Sequence, residues 1–297
     1  MPEEWNQQTV GLLTITDIKV FDVLQKFDLP QKDPDRVVLL QITDTHLFAD
    51  DGGSLLGVAT KDSFHAVLDA VEAAARPFEA IVATGDISQD HTEASYQRFC
   101  DGIARWPQPC FWLPGNHDYQ PSMQSVLPSP QIKSCHQVLA GEHWQVILLD
   151  SQVKGVPHGE LSDSQLAMLE QALAAHPQRH ALVLLHHHPL PAGSTWLDQH
   201  QLHNADAFWA VLARHPQAKA VLCGHIHQEL DCLYQGVRVM ATPSTCIQFQ
   251  PDSHDFALDN NNPGWRILEL LADGQIDTQV YRLTGRQFTP QFDAAGY

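Results

Sequence analysis

Five short stretches of the chain concentrate oxygen and imidazole donors: Asp44-Thr-His46, Gly85-Asp86, Gly115-Asn-His-Asp118, His186-His-His-Pro189 and Gly224-His-Ile-His227. Carboxylate, carboxamide and imidazole groups together form the mixed oxygen and nitrogen donor set of a transition-metal site, and imidazole is the commonest protein ligand. The chain holds 18 His against 17 Lys and Arg combined. Taken singly, each stretch means little. An isolated Asp-x-His is more often a surface turn, and a His after an apolar run is more often a satisfied core residue. Five such stretches in order, each closing an apolar run, point instead to one metal centre assembled from distant segments.

The elements that must position these donors follow from periodicity. Strand-length apolar runs occur at Val37 to Ile42, Ala80 to Ala83, Cys110 to Leu113, Trp144 to Leu149, Ala181 to Leu185 and Ala218 to Cys223. Between them, Phe64, Val67, Leu68 and Val71, and then Tyr96, Phe99 and Ile103, recur at helical spacing. Ser162-Asp-Ser-Gln165 has the form of a capping box opening a helix through Leu173. Alternating strands and helices predict a layered α/β fold, in which the carboxyl ends of strands form the site crevice. The donors sit at those ends. After His227 the pattern changes to hairpins, one turning at Gln235-Gly236 and one at Asp273-Gly274, so the C-terminal part is expected to be antiparallel. The expected organisation is an N-terminal extension over residues 1–35, an arm or partly disordered, one catalytic domain over 36–285 and a tail over 286–297.

The ordered set Asp-x-His, Gly-Asp, Gly-Asn-His-Asp, a His-rich tip ending in Pro, and Gly-His-x-His resembles that of the calcineurin-like metallophosphoesterases, from about Val37 to Leu283. Gln41 to Phe48, Val153 to Glu160, Pro189 to Gly193 and Ala241 to Cys246 further resemble the bacterial class III 3′,5′-cyclic AMP phosphodiesterases. The resemblance implies a four-layer αββα sandwich of two mixed β-sheets flanked by helices, built around two divalent metal ions. It implies that Asp44, His46, Asp86 and His227 hold one ion, and that Asp86, Asn116, His186 and His225 hold the other. Asp86 then bridges, since a carboxylate has lone pairs enough for both. Fe or Mn suits this donor set, with Zn also compatible. The expected reaction is hydrolysis of 3′,5′-cyclic AMP to 5′-AMP by a metal-bridging hydroxide, controlling the level of the cyclic nucleotide. His117 is the expected general acid at the leaving 3′ oxygen, with Asp118 or Asp90 to orient it. His46, Asn116, His117 and His227 are the expected substrate contacts. The related protein phosphatases carry an arginine after their second motif to grip a phosphomonoester, whereas Gly85 to Asp90 has none; a singly charged diester needs less.

His186 and His188 are alternatives as ligands on spacing alone, since period-two geometry turns His187 to the other face. The family pattern places the ligand first, at His186. His158 and His200 read as loop histidines, Trp112 as core, and Trp196, in a Gly/Ser/Thr loop, as a candidate to stack on adenine. Other phosphodiesters would use the same centre: glycerophosphodiesters, 2′,3′-cyclic nucleotides or a lipid-linked pyrophosphate. An inert metal-binding scaffold would be expected to lack a ligand or the acid, and all are here.

Charge and composition exclude other classes. With 35 Asp and Glu the formal net charge is −18, which repels nucleic acid and anionic membrane and leaves a small-molecule substrate. Substrate phosphate is still attracted, because remote surface charge is screened beyond roughly 8 Å at physiological salt. No apolar run is long enough to span a bilayer, and no basic-then-apolar leader opens the chain. The six cysteines lack a C-x-x-C pair and read as reduced thiols, consistent with a cytoplasmic protein. Oligomeric state is not legible.

Overall fold

The computed structural model describes residues 24–30 and 32–296. Of the expected N-terminal extension, residues 1–23 and 31 lie outside the described residues, and Lys26–Leu29 forms an edge strand.

Two mixed sheets stack face to face. The first has six strands in the order Ile276–Arg282, Gly264–Leu271, Arg36–Ile42, Ala80–Ala83, Cys110–Trp112 and Ile132–Lys133. Its last four strands are mutually parallel, and Gly264–Leu271 is antiparallel to both of its neighbours. The second has seven, in the order Lys26–Leu29, Gln137–Ala140, Trp144–Leu148, His180–Leu184, Ala218–Cys223, Val237–Ala241 and Leu230–Tyr234. The expected hairpins both form, but the C-terminal part is not wholly antiparallel. Val237–Ala241 is antiparallel to Leu230–Tyr234 and parallel to Ala218–Cys223 on its other side. Alternation in a sequence reports the hairpin partner and is blind to the distant one.

The layering follows from side-chain alternation. In Arg36–Ile42, Val37 and Leu39 pack between the sheets with Val82, Phe111, Val146, Leu182 and Leu268. Val38, Leu40 and Ile42 face the other way, against the helix Thr60–Ala74 through Phe64, Val67 and Leu68 and the helix Glu93–Ile103 through Tyr96 and Phe99. A strand buried on both faces reads as a continuous apolar run, as this one does. The second sheet is covered in the same way by Asp163–Ala175 and Ala205–Leu212. The expected four-layer αββα sandwich is therefore observed. Of the capping box, only half forms: Ser162 accepts from the Gln165 N–H, but the Gln165 side chain instead accepts from the Asp150 N–H.

A buried polar seam ties the two sheets together beneath the donor-bearing ends. Gln41 Nε2 donates to Thr84 Oγ1 at 2.8 Å and to the Cys223 carbonyl at 3.1 Å, while Thr242 donates to Gln41 Oε1. Arg266, fully buried, donates to Thr242 Oγ1 at 2.9 Å and to the Ala241 carbonyl at 2.8 Å. Each group of this seam is satisfied by another, which is what makes its burial tolerable. Among the described residues no helix is long and apolar enough to cross a membrane.

Candidate metal centre

The donor stretches follow strands of both sheets: Asp44, Asp86 and Asn116 come from the first, His186 and His225 from the second. Backbone bonds knit neighbouring tips, with the Asp44 N–H on the Gly85 carbonyl at 3.1 Å, His46 N–H on the Asp86 carbonyl at 2.9 Å and Gly224 N–H on the His186 carbonyl at 3.2 Å. Glycine permits this approach. A Cβ on Gly115 would lie 2.1 Å from Asp86 Oδ1, and one on Gly85, whose φ is +95°, would lie 2.5 Å from His186 Nδ1. The donors themselves are strained. Asp44, His46, Asp86, His225 and His227 all hold left-handed φ values, between 44° and 68°. For residues with a Cβ this conformation costs on the order of 1–2 kcal/mol each, and clusters of it mark functional sites.

These loops bring the donor atoms into overlapping groups. Asp44, His46 and His227 form one, Asp44, Asp86 and His186 a second, and His46, Asp86 and His117 a third, the ligand atoms of each lying within 4.8 Å of one another. Asp86 Oδ2 lies 3.2 Å from His186 Nε2 and 3.7 Å from His46 Nε2, and Asp44 Oδ1 lies 3.4 Å from His227 Nε2. Asn116 Oδ1 is 3.1 Å from His186 Nε2. His225 groups with His186 and His187, and its Nε2 is buried with no hydrogen-bond partner. All seven expected ligands thus converge, and His117, half-buried, stands beside them with its ring edge-on to His46 at 5.0 Å.

The surroundings fix which nitrogen faces inward. His46 Nδ1 pairs with Gln89 Oε1 at 2.7 Å, His186 Nδ1 with the Thr84 carbonyl at 2.7 Å and His227 Nδ1 with the Ile247 carbonyl at 3.0 Å. With the proton assigned to Nδ1, each ring presents an Nε2 lone pair, the usual arrangement of metal-ligating histidines. The inward Nε2 atoms of His46 and His227 are 3.2 Å apart. Two lone pairs at that distance repel, and a cation satisfies both. The donor set therefore fits metal ions.

Electrostatics agree. Burial alone would raise the Asp86 carboxyl, but the His186 and His117 imidazoles hold it well below the usual carboxylate range. Burial opposes charge on His186, and the Asp86 carboxylate overrides it, pushing the ring up to about 9. Burial takes His46 down to about 3, which keeps it neutral and able to ligate. Without an ion, the positive charge that Asp86 favours falls on the His186 ring, whose Nε2 must shed its proton to ligate.

Two details differ from expectation, those of His187 and of the carboxylates near His117, while His186 rather than His188 joins the donors as expected. His187 is not turned away: the strand ends at Leu184, so period two lapses before the triple histidine, and His187 is buried in the cluster with Nδ1 on Ser151 Oγ at 2.8 Å. His188 joins no donor group and lies 3.4 Å from Asp198 Oδ1. The carboxylates expected to orient His117, Asp118 and Asp90, are both engaged by other groups. Asp118 accepts from the Ile87, Ser88 and Gly115 N–H groups and the Tyr96 hydroxyl, and Asp90 from Ala49 N–H and Thr92. Both shape loops. Sequence reasoning also missed Gln152, whose Nε2 donates to the Gly115 and Asp118 carbonyls, each at 2.6 Å, and so holds the Asn116-His117 turn. Nothing local to Gln152 could have signalled this.

The calcineurin-like phosphoesterase family model matches residues 37–229, and this chain belongs to that family. The 3′,5′-cyclic adenosine monophosphate phosphodiesterase CpdA of Vibrio vulnificus is 60% identical over 261 residues, covering 88% of this chain and 95% of that protein. The Escherichia coli K12 protein of the same name is 55% identical over 269 residues, covering 91% and 98%. A dimetal phosphatase of Danio rerio shares the fold, with a TM-score of 0.58 at 15% identity over 85% of this chain and all of that one.

Proposed function

We propose that this chain hydrolyses 3′,5′-cyclic AMP to 5′-AMP with two divalent ions, Fe or Mn and compatibly Zn. Asp44, His46, Asp86 and His227 would hold one ion, and Asp86, Asn116, His186 and His225 the other. The observation that carries this reading is Asp86, whose Oδ2 lies 3.7 Å from His46 Nε2 and 3.2 Å from His186 Nε2, one proposed ligand of each ion. The names and high identity of the relatives supply the substrate. When bound, paired divalent ions polarise a phosphoryl oxygen and acidify a water, which makes a nucleophile available at neutral pH.

The protein's own residues do the rest. Asn116 and His117 stand at the cavity beside the cluster, where a phosphodiester would enter, while His46 and His227 are fully buried beneath it. The His117 N–H donates to Asp86 Oδ1 at 2.8 Å, so the loop bearing the imidazole is anchored to the shared carboxylate. From there the His117 ring hands a proton to the departing 3′ oxygen, which would otherwise leave as a poor alkoxide.

An assay of the chelator-stripped, Mn- or Fe-reconstituted protein tests this reading, with cyclic AMP and an aryl phosphodiester run in parallel. Metal-dependent release of 5′-AMP is expected. Turnover of the aryl diester alone, or 3′-AMP as product, would discard the substrate assignment and keep the centre.

A further inference from the structure

A cavity of about 230 Å³ adjoins the donor cluster, lined by Asn116, His117 and His225 together with Pro157, Trp196 and Phe256. Its two sets of lining groups have opposite chemistry: donors for an anion, and a flat apolar surface. The aromatic part is rigidly referenced to the centre. Phe249 stacks on His227 with ring centroids 4.4 Å apart, and Trp196 packs edge-on against Phe249 at 5.0 Å and against Phe256 at 5.0 Å. The short helix Thr195–Asp198 that carries Trp196 is clipped at both ends. Thr195 N–H donates to the Ser253 carbonyl at 3.0 Å, and the Asp198 carboxylate accepts from the Ala192 and Gly193 N–H groups.

Charge is informative too. Among the described residues, no Lys or Arg lines the cavity. His200, also in the lining, is kept towards its neutral form by burial and by the neighbouring His188, His158 and His203. A second phosphate would find no cation here, which disfavours pyrophosphates. An uncharged aromatic body attached to a single phosphodiester matches both halves.

Resting on the proposed cyclic-nucleotide reaction, we propose that this cavity is the subsite for the purine base of the substrate, with Trp196 and Phe256 as the surfaces on which the base packs. Stacking of a base on an aromatic side chain is tolerant of orientation and needs no charge. The subsite therefore supplies affinity for the nucleoside, while the bond is broken one ribose away.

The test compares cyclic AMP with a ring that lacks the base, methyl ribofuranoside 3′,5′-cyclic phosphate, using wild type, Trp196→Ala, Trp196→Phe and Phe256→Leu. Wild type should strongly prefer cyclic AMP. Trp196→Ala should lower kcat/KM for cyclic AMP at least tenfold, chiefly through KM, and lower the ratio of the two substrates by the same factor; Trp196→Phe should restore most of it. If the alanine variant does not fold, Phe256→Leu carries the same comparison, with a smaller fall in the ratio expected. Equal losses on both substrates, an unaltered ratio in folded variants, or a wild type indifferent to the base would overturn the subsite. A wild type that opens neither ring would instead overturn the cyclic-nucleotide reading.

Discussion

His117 differs from every other imidazole of the cluster in being half-buried rather than enclosed, and it lines the cavity where a substrate would lie. Its ring is not among the seven proposed ligands, so its removal should separate holding a metal from breaking a bond. In His117→Ala the metal content should match wild type while kcat falls by about 10²–10⁴ with cyclic AMP, the usual worth of a positioned acid. Metal analysis beside steady-state kinetics checks both parts, and an unchanged kcat would remove His117 from the reaction. The ligand histidines show what a sequence can and cannot reveal about single residues. Asp44, His46, Asp86 and Asn116 were legible because donors closing an apolar run stand out from turn residues. The supports of the ligand histidines were not, since Gln89 at His46 and the Thr84 and Ile247 carbonyls at His186 and His227 become partners only through tertiary contact. The same holds for Asp118, whose carboxylate is engaged by the Ile87 and Ser88 N–H groups of another turn as well as by Gly115 N–H of its own.

The strands explain why so strained a set of loops persists. Five left-handed donor residues cost several kcal/mol together by the figure above, and the strand ends that carry them must be held rigidly in two different sheets. The seam of Gln41, Thr84, Thr242 and Arg266 crosses between those sheets and ends at Cys223, immediately before the Gly224-His-Ile-His tip. Gln41→Leu would leave the Thr84 and Thr242 hydroxyls and the Cys223 carbonyl each short of a buried partner. Each loss costs about 1–3 kcal/mol, so unfolding free energy should fall by about 3 kcal/mol or more. Urea unfolding of wild type and variant measures this, and a difference under about 0.5 kcal/mol, the size of a neutral surface change, would show the seam to be dispensable. Apolar period and turn residues made the central strands, both hairpins and the helices Thr60–Ala74, Glu93–Ile103 and Asp163–Ala175 legible, but not Lys26–Leu29, Ile132–Lys133, Gln137–Ala140 or the helix Ala205–Leu212. The division of the strands between two sheets was not, because a strand buried on both faces reads the same in either.

Across the whole molecule, acidic groups outnumber basic ones about two to one, yet the proposed reaction requires an anion to bind. The resolution is local. The charge of −18 is spread over the chain, whereas two divalent ions beside the Asp44 and Asp86 carboxylates would leave the centre with a charge of about +2. Beyond roughly 8 Å the surface excess is screened, and within that distance the ions dominate. The fold thus contributes a rigid two-sheet frame, a buried cluster that is electrostatically incomplete without cations, and an adjoining cavity lined, among the described residues, by no lysine or arginine. Metal ions should stabilise this frame, since donors assembled from both sheets bind them only when folded. The decisive quantity is the number of ions per chain, measured by plasma mass spectrometry on reconstituted wild type and on Asp86→Asn. The proposed centre requires about two ions in wild type, and at most about one, with turnover lost, in Asp86→Asn, whose neutral amide has a single oxygen to offer. A wild type saturating at one ion, or an Asp86→Asn variant that keeps two and turns over normally, would contradict the shared-carboxylate centre.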